Sequence, residues 1–363
     1  MESIGHIIAE TIYSEADVPA FPTSIMDGYA VCAPMTAGCY SVQERIHAGD
    51  DANFTLNTGS VVYITTGAKL PNGTNAVVII EDTQSTERGE ISSEKTVHIN
   101  TVAGIGTNVR DIGSDMKKGE EVLTKGSRIG PAEIGLLATV GVSQVLCNQK
   151  PTVGVMSTGD ELVDVHVQPT GTQIRDSNRA AILASLKEDS IPTIDLGIIR
   201  DQTSLLEPAL LNAAQKCDVV ITSGGVSMGE ADLVKPTLGR LGQIHFGRLN
   251  MKPGKPTTFA TLPRFPVSSS IDLSLSLSLP HSNCLFFALP GNPVSCLVTK
   301  SLLVDPVLSR LQGEREREMM APEIRVKIEE EMKLDRERPE YHRAIVSVRE
   351  RVREGEREDE LVA

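Results

Sequence analysis

The chain has 363 residues, 40% of them hydrophobic, and a formal net charge of -13. That length and apolar content exclude a disordered polymer and give roughly two to four domains with real cores, while the acidic balance, 3% aromatic residues and no Trp exclude a nucleic-acid face, which needs cations and stacking rings. Six cysteines without a C-x-x-C pair point to neither zinc nor a disulfide framework, and without a basic-then-apolar leader or an apolar run of about 20 residues the expected setting is the cytoplasm.

At the start of the chain, Ile4, Ile7, Ile8 and Ile12 recur at near-helical spacing, which predicts a short helix ended by Pro19 and Pro22. The chain then enters Met26-Asp27-Gly28-Tyr29 in extended form, and Asp27 reads either as a turn residue or as a displayed carboxylate. Short β-rich runs follow at Ser60 to Thr65, Ala76 to Ile80 and Thr96 to Ile99, predicting a small barrel or sandwich. The loop TTGAKLPNGTNA between the first two presents Thr66 and Gly67, while alternation sends Glu81 and Asp82 to opposite faces of a strand. Arg110, Asp111 and Asp115 surround Gly113, a hairpin turn is expected at Lys118-Gly119, and Pro131 opens a helix with Ile134, Leu137 and Ala138 on one face and Gly141 as terminator.

From Lys150 to about Gly313 strands alternate with helices, which predicts a mostly parallel sheet covered on both faces. TVGVMSTGDEL is a strand opening into a glycine turn, Ser177 is expected to cap the next helix, and TIDLGIIR and DVVITSGG are further strands. FFALPGNPVSCLVTKSLL reads as strand, turn and helix with Asn292 as cap and Pro293 at the first helical position. Ser223-Gly224-Gly225 after the central strand suits a phosphate, because glycine lets backbone N–H groups approach an anion and Ser223 and Ser227 add hydroxyls; the same residues would also make an ordinary turn. Asp232 is placed to hold a cation that such an anion brings. In open sheets of this kind ligands bind beyond the carboxyl ends of the strands, where Gly159-Asp160-Glu161, Ser223-Gly224-Gly225 and Pro290-Gly291-Asn292 would all emerge. Residues 263–284 alternate Leu and Ser, and from Arg349 the chain is a dense Arg/Glu mixture that reads as solvated.

Taken together, MDGYAV, TTGAKLPNGTNAVVIIEDT, GSDMKKGE, MSTGDELV, ITSGGVSMGEAD, MKPGKPTTFAT and LPGNPVS resemble, in order and over about residues 8–348, the molybdenum insertases: bacterial MoeA, the E domain of animal gephyrin and the plant insertase domain. RDSNRA, DLVKP and PGNPVSCLV look closest to plant and animal members. The resemblance implies a multidomain fold: an N-terminal extended domain at 1–34 and 104–149, a β-rich small domain at 35–103, a central α/β sandwich of molybdopterin-binding type at 150–313, and an incomplete C-terminal β domain with a polar tail at 314–363. It implies a molybdopterin molybdotransferase that takes adenylylated molybdopterin, hydrolyses the pyrophosphate with Mg2+, releases AMP and inserts molybdate. Asp27, Asp115, Glu161 and Asp232 would be catalytic, Asp232 and Asp27 metal-binding, and Thr66, Asp160, Ser223, Gly224, Gly225, Ser227, Pro290, Gly291 and Asn292 substrate-binding. Lys252, Lys255, Pro256, Ser295 and Arg343 match positions assigned to molybdate, a dianion that calls for cations and hydroxyls. A molybdopterin adenylyltransferase and a second copy of the chain are the implied partners. Other readings are a gephyrin-like receptor-clustering scaffold, a truncated inactive product, and the adenylyltransferase itself, which lacks the MDGYA and β-rich segments present here.

Overall fold

The computed structural model describes residues 2–85, 95–226, 232–264, 283–316, 323–329, 331–353 and 356–362. Two units can be traced: Glu10–Lys125 with Gly130–Val145, and Glu2–Ala9 with Gly126–Ile129 and Leu146–Ala363. Each follows from its own hydrophobic pattern.

The first unit is built on a six-stranded mixed sheet of β1 (Gly28–Val31), β2 (Gly38–Ile46), β3 (Ser60–Ile64), β4 (Ala76–Ile79), β5 (Thr83–Ser85) and β6 (Thr96–Ile99), in the order β4-β1-β3-β2-β6-β5. Strand alternation splits its apolar residues into two sets, Tyr29, Val31, Val61 and Val78 on one side and Ala30, Val62, Ile64 and Val77 on the other, so both faces carry a core. The three β runs expected from sequence are all strands. Helix α1 (Pro131–Thr139) begins at its proline as expected, but of the three apolar residues assigned to its face only Leu137 is buried, and Ala138 is exposed. Lys117 to Glu120 does turn, with Glu120 N–H donating to Lys117 O, yet the flanking strands pair elsewhere: Val109–Arg110 with Thr23–Ser24, and Glu121–Leu123 with Ile12–Tyr13. The turn is therefore not a hairpin.

The expected N-terminal helix is absent. Ile7 and Ile8 are buried in extended chain that bridges Arg128 and Cys147, in the second unit, and Ile12 sits in a short strand. β-branched side chains tolerate extended backbone well, and here pairing outweighs a weak helical period.

The second unit carries the larger α/β sheet. Its elements are β7 (Val153–Thr158), α2 (Ser177–Glu188), β8 (Thr193–Ile199), α3 (Thr203–Lys216), β9 (Val219–Ser223), α4 (Val234–Leu241), β10 (Gln243–Phe246), β11 (Thr258–Pro263), β12 (Asn283–Leu289), α5 (Pro293–Thr299) and α6 (Asp305–Leu311). The order is β8-β7-β9-β12-β11-β10; the first four are parallel, and β11 and β10 add antiparallel. Val219 and Ile221 point to one face with α2, α5 and α6, while Val220 points to the other with α3 and α4, so two buried clusters sandwich the sheet. The cap of α2 is Asp176, whose carboxylate accepts from Arg179 N–H, and Ser177 is the first helical residue. Asn292 caps α5 with Pro293 at the first position. Among the described residues no helix is long and apolar enough to cross a membrane. Ser227 and most of the Leu/Ser stretch, 265–282, lie outside the described residues.

Candidate functional site

Parallel register decides where the site sits. Ser157 pairs with Ser223 and Ser223 with Leu289, so β7, β9 and β12 end on one rung and release their loops side by side. The loops touch: Gly224 N–H donates to Leu289 O at 3.1 Å, and Asn178 Nδ2, near the start of α2, donates to Ser223 Oγ at 2.7 Å and to Gly291 O at 2.8 Å. Gly224 and Gly225 have φ of +90° and +63°, and a Cβ on Gly225 would lie 2.6 Å from Thr158 Oγ1. Only glycine fits both the left-handed backbone and the space. The result is an open cleft of ≈ 100 Å³, walled by Thr158 and Glu161, by Ser223, Gly224 and Gly291, and by Asp176 to Asn178 of the α2 start.

Carboxylates gather at the same sheet edge. Asp201, which follows β8, donates its N–H to Asp160 Oδ1 at 3.2 Å, and Arg200 Nη1 donates to Asp160 O at 2.6 Å. Burial, reinforced by Asp160 and Glu161, pushes the Asp201 carboxyl above its ordinary value. Burial also pushes Asp232 up to about 6, opposed by the Lys235 ammonium and aided by Asp201. Asp201 Oδ1 and Asp232 Oδ1 are both shut off from solvent without a hydrogen-bond partner among the described residues. Desolvated, mutually repelling carboxylate oxygens are what a cation would relieve. No group of three or more described His, Cys, Asp or Glu residues could enclose a metal by itself. Hard carboxylate oxygens of this kind suit a cation such as Mg2+, which keeps waters and shares substrate phosphates with one or two carboxylates.

A second group of residues lies on the loop before β11. A Cβ on Gly254 would collide with Thr299 of α5, and Thr299 Oγ1 donates to Ser295 O at 2.8 Å, so the MKPGKP loop packs one turn from Ser295. Lys252 N–H donates to Pro339 O at 2.9 Å and Tyr341 N–H to Lys252 O at 2.8 Å, which lays the segment leading to Arg343 along this loop. Lys252 Nζ is 2.5 Å from Glu340 Oε1; Lys255 and Arg343 are exposed, and Pro256 is half-buried.

In the first unit, Asp27 Oδ1 accepts from Thr66 N at 2.6 Å and from Thr66 Oγ1 at 2.8 Å; these two bonds, the backbone one first, hold the Asp27 carboxyl below its ordinary value. Asp115 lies 3.4 Å from Arg110 Nη1, with both side chains about half exposed.

Two family models cover the chain: the MoeA N-terminal region (domain I and II) over residues 1–141 and the probable molybdopterin binding domain over 154–310. Molybdopterin molybdenumtransferase of Haemophilus influenzae is 38% identical over 87% of this chain and 72% of its own length. The chain belongs to the molybdopterin molybdenumtransferase family. Gephyrin of Dictyostelium discoideum is 39% identical over 95% of this chain, which spans 51% of that protein. The MoeA protein of Pyrococcus horikosii shares the fold with a TM-score of 0.68 and 32% identity, over 87% of this chain and 75% of that one.

Within this family framework, the structure brings Asp160, Glu161, Ser223, Gly224, Gly225, Pro290, Gly291 and Asn292 to one edge. Several of them are already engaged by protein, Asp160 by Asp201 N–H and Gly224 by Leu289 O as well as Ser223 and Asn292. Ser223 is 2% exposed and its hydroxyl accepts from Asn178, while Asn292 Oδ1 accepts from Ser295 N–H at 3.1 Å. Both shape the cradle from behind. Sequence reasoning passed over Asn178 and Asp201. Asp201 carried a usable signal, since it follows a strand of the same parallel set and so emerges at the same edge as the three glycine loops. Asn178 stands in the RDSNRA motif, but its role could not be read there, because its bonds depend on how α2 docks.

Proposed function

We propose that this chain is a molybdenum insertase, which takes adenylylated molybdopterin, hydrolyses its pyrophosphate and passes molybdate into the dithiolene. The observation that carries this reading is the glycine cradle at Gly224-Gly225 opening on the same sheet edge as two buried carboxylate oxygens, on Asp201 and Asp232, that have no hydrogen-bond partner among the described residues. A pyrophosphate needs both features: backbone donors for its oxygens and a cation shared with carboxylates.

In this reading the backbone N–H groups beyond Gly224, whose own N–H is spent on Leu289 O, bind and orient the phosphates, and Asn178 fixes the spacing of the loops after β9 and β12. Asp232 and Asp201 would hold Mg2+, which would supply positive charge against the phosphate oxygens. Glu161 lines the cleft and is the group placed to orient an attacking water. Lys252, Lys255, Ser295 and Arg343 take molybdate as substrate. Asp27 and Asp115, in the first unit, are assigned catalytic roles on the family resemblance, and a molybdopterin adenylyltransferase supplies the nucleotide substrate.

The test uses the full chain with adenylylated molybdopterin, Mg2+ and molybdate, reading AMP release and activation of a cofactor-free molybdoenzyme. Both are expected to depend on Mg2+, and activation on molybdate as well. AMP release without activation would restrict the reading to hydrolysis, and neither signal would remove it.

A further inference from the structure

We propose that Glu340 is a built-in counter-ion of the oxyanion site, holding one side of the Lys252 ammonium and so setting how tightly that lysine takes a tetrahedral dianion. The inference rests on the reading above, in which the MKPGKP loop holds molybdate.

The two side chains are unequally covered. Glu340 is 4% exposed and Lys252 50%, so the carboxylate is sealed behind an ammonium that still faces solvent. Their pairing is held by the main chain on both sides, through Lys252 N–H to Pro339 O and Tyr341 N–H to Lys252 O. The other oxygen, Oε2, lies 3.2 Å from His342 Nε2. The Lys252 ammonium, with the Asp335 amide and then His342, holds the Glu340 carboxyl down to about 2, so it is ionised at neutral pH.

Glu340 Oε1 pairs with the ammonium as a charge at 2.5 Å and has no hydrogen-bond partner among the described residues. An ammonium has three N–H donors to offer an arriving anion, which here meets a pair of zero net charge instead of a bare cation. Donors are thus supplied for geometry while most of the long-range attraction is cancelled, and Lys255 and Arg343, both exposed, add further positive charge on these two segments. A site of that design recognises a tetrahedral oxyanion by shape and can still release it to the next step.

The experiment uses the full chain, with sodium molybdate as probe, in equilibrium dialysis at low and high ionic strength. Glu340→Gln keeps the shape and one acceptor but removes the charge. A lost unit charge several ångströms from a dianion, screened by solvent, tightens molybdate binding by about 3- to 10-fold at low salt, with a smaller gain at high salt. The gain is expected to disappear when Lys252→Met is combined with Glu340→Gln, because the effect acts through that ammonium. Glu340→Asp, which keeps the charge but draws it back, is expected to fall between wild type and Glu340→Gln and carries the same test should the glutamine variant melt too early.

Unchanged or weaker molybdate binding by folded Glu340→Gln would overturn the proposal, as would a gain that survives Lys252→Met. A chain that binds no molybdate in any variant would overturn the reading of the loop itself and this proposal with it. That outcome is recognised by the wild type's own silence, which the previous ones do not share.

Discussion

Replacing Asp232 with Asn is expected to stabilise the fold while removing activity. In the native protein, burial moves this carboxyl from an ordinary value of 3.8 to about 6. A displacement of that size corresponds to about 3 kcal/mol at face value, and screening at a site only partly withdrawn from solvent reduces it to about 1–2 kcal/mol. The folded value lies above the unfolded one. The contribution of Asp232 to stability is therefore fully present below pH 3.8 and lost as pH rises through about 6. Asp201 moves in the same direction, so the wild type should weaken across this range by more than Asp232 alone accounts for. Urea unfolding followed by far-ultraviolet circular dichroism, suited to a chain without Trp, provides the assay. Above pH 7, Asp232→Asn should unfold later than wild type by about 1–2 kcal/mol, and near pH 4 the two should converge. Added Mg2+ should recover stability in the wild type and much less in the variant, because it neutralises the charge that the substitution removes. A variant less stable than wild type at neutral pH, or one with the same pH slope, would refute the argument that Asp232 is held in an unfavourable ionised state for a cation.

Gly224→Ala places a side chain at φ +90° against Thr158 and should cost about 1–3 kcal/mol in urea unfolding, with AMP release falling further than stability does. Arg179→Met removes the guanidinium that pairs with Asp164, Asp176 and Asp195; because Asp176 is almost fully covered, stranding it should cost about 3 kcal/mol, measured the same way. Lys255→Gln should weaken molybdate binding severalfold in dialysis while leaving adenylylated molybdopterin binding nearly unchanged; equal loss of both would point to a general disturbance of the unit.

The parallel sheet was legible because its signals are local and repeated. Val219 to Ser223 is apolar, short and followed by two glycines, and the same strand-then-glycine pattern recurs at Val153 and Phe286, so order and edge could both be read before any contact was known. Caps were legible for the same reason where a proline marked the first turn, as at Asn292-Pro293. At Asp176-Ser177 two good capping residues are adjacent, and the choice fell to Asp176 because its carboxylate also reaches Arg179 Nε, which Ser177 could not do. The N-terminal isoleucines misled because a period of three to four over one short stretch carries little information. Ile7 and Ile8 find backbone partners at Arg128 and Cys147, far along the chain.

The cradle itself shows why a site is only partly readable from residue types. Ser223 has the hydroxyl expected of a phosphate ligand, yet it is buried and accepts from Asn178, a residue whose motif, RDSNRA, does not announce that role. A phosphate site gains from donors that do not reorganise when the ligand arrives, and loose loops forfeit that gain. One amide whose two N–H groups reach Ser223 Oγ and Gly291 O ties the loops after β9 and β12 at a fixed spacing. The residues nearest the anion can then be glycines, chosen for what they lack. The polar side chains that sequence inspection favours stand one layer behind, where they hold the backbone in place, and the chemistry falls to main-chain N–H groups that every sequence contains.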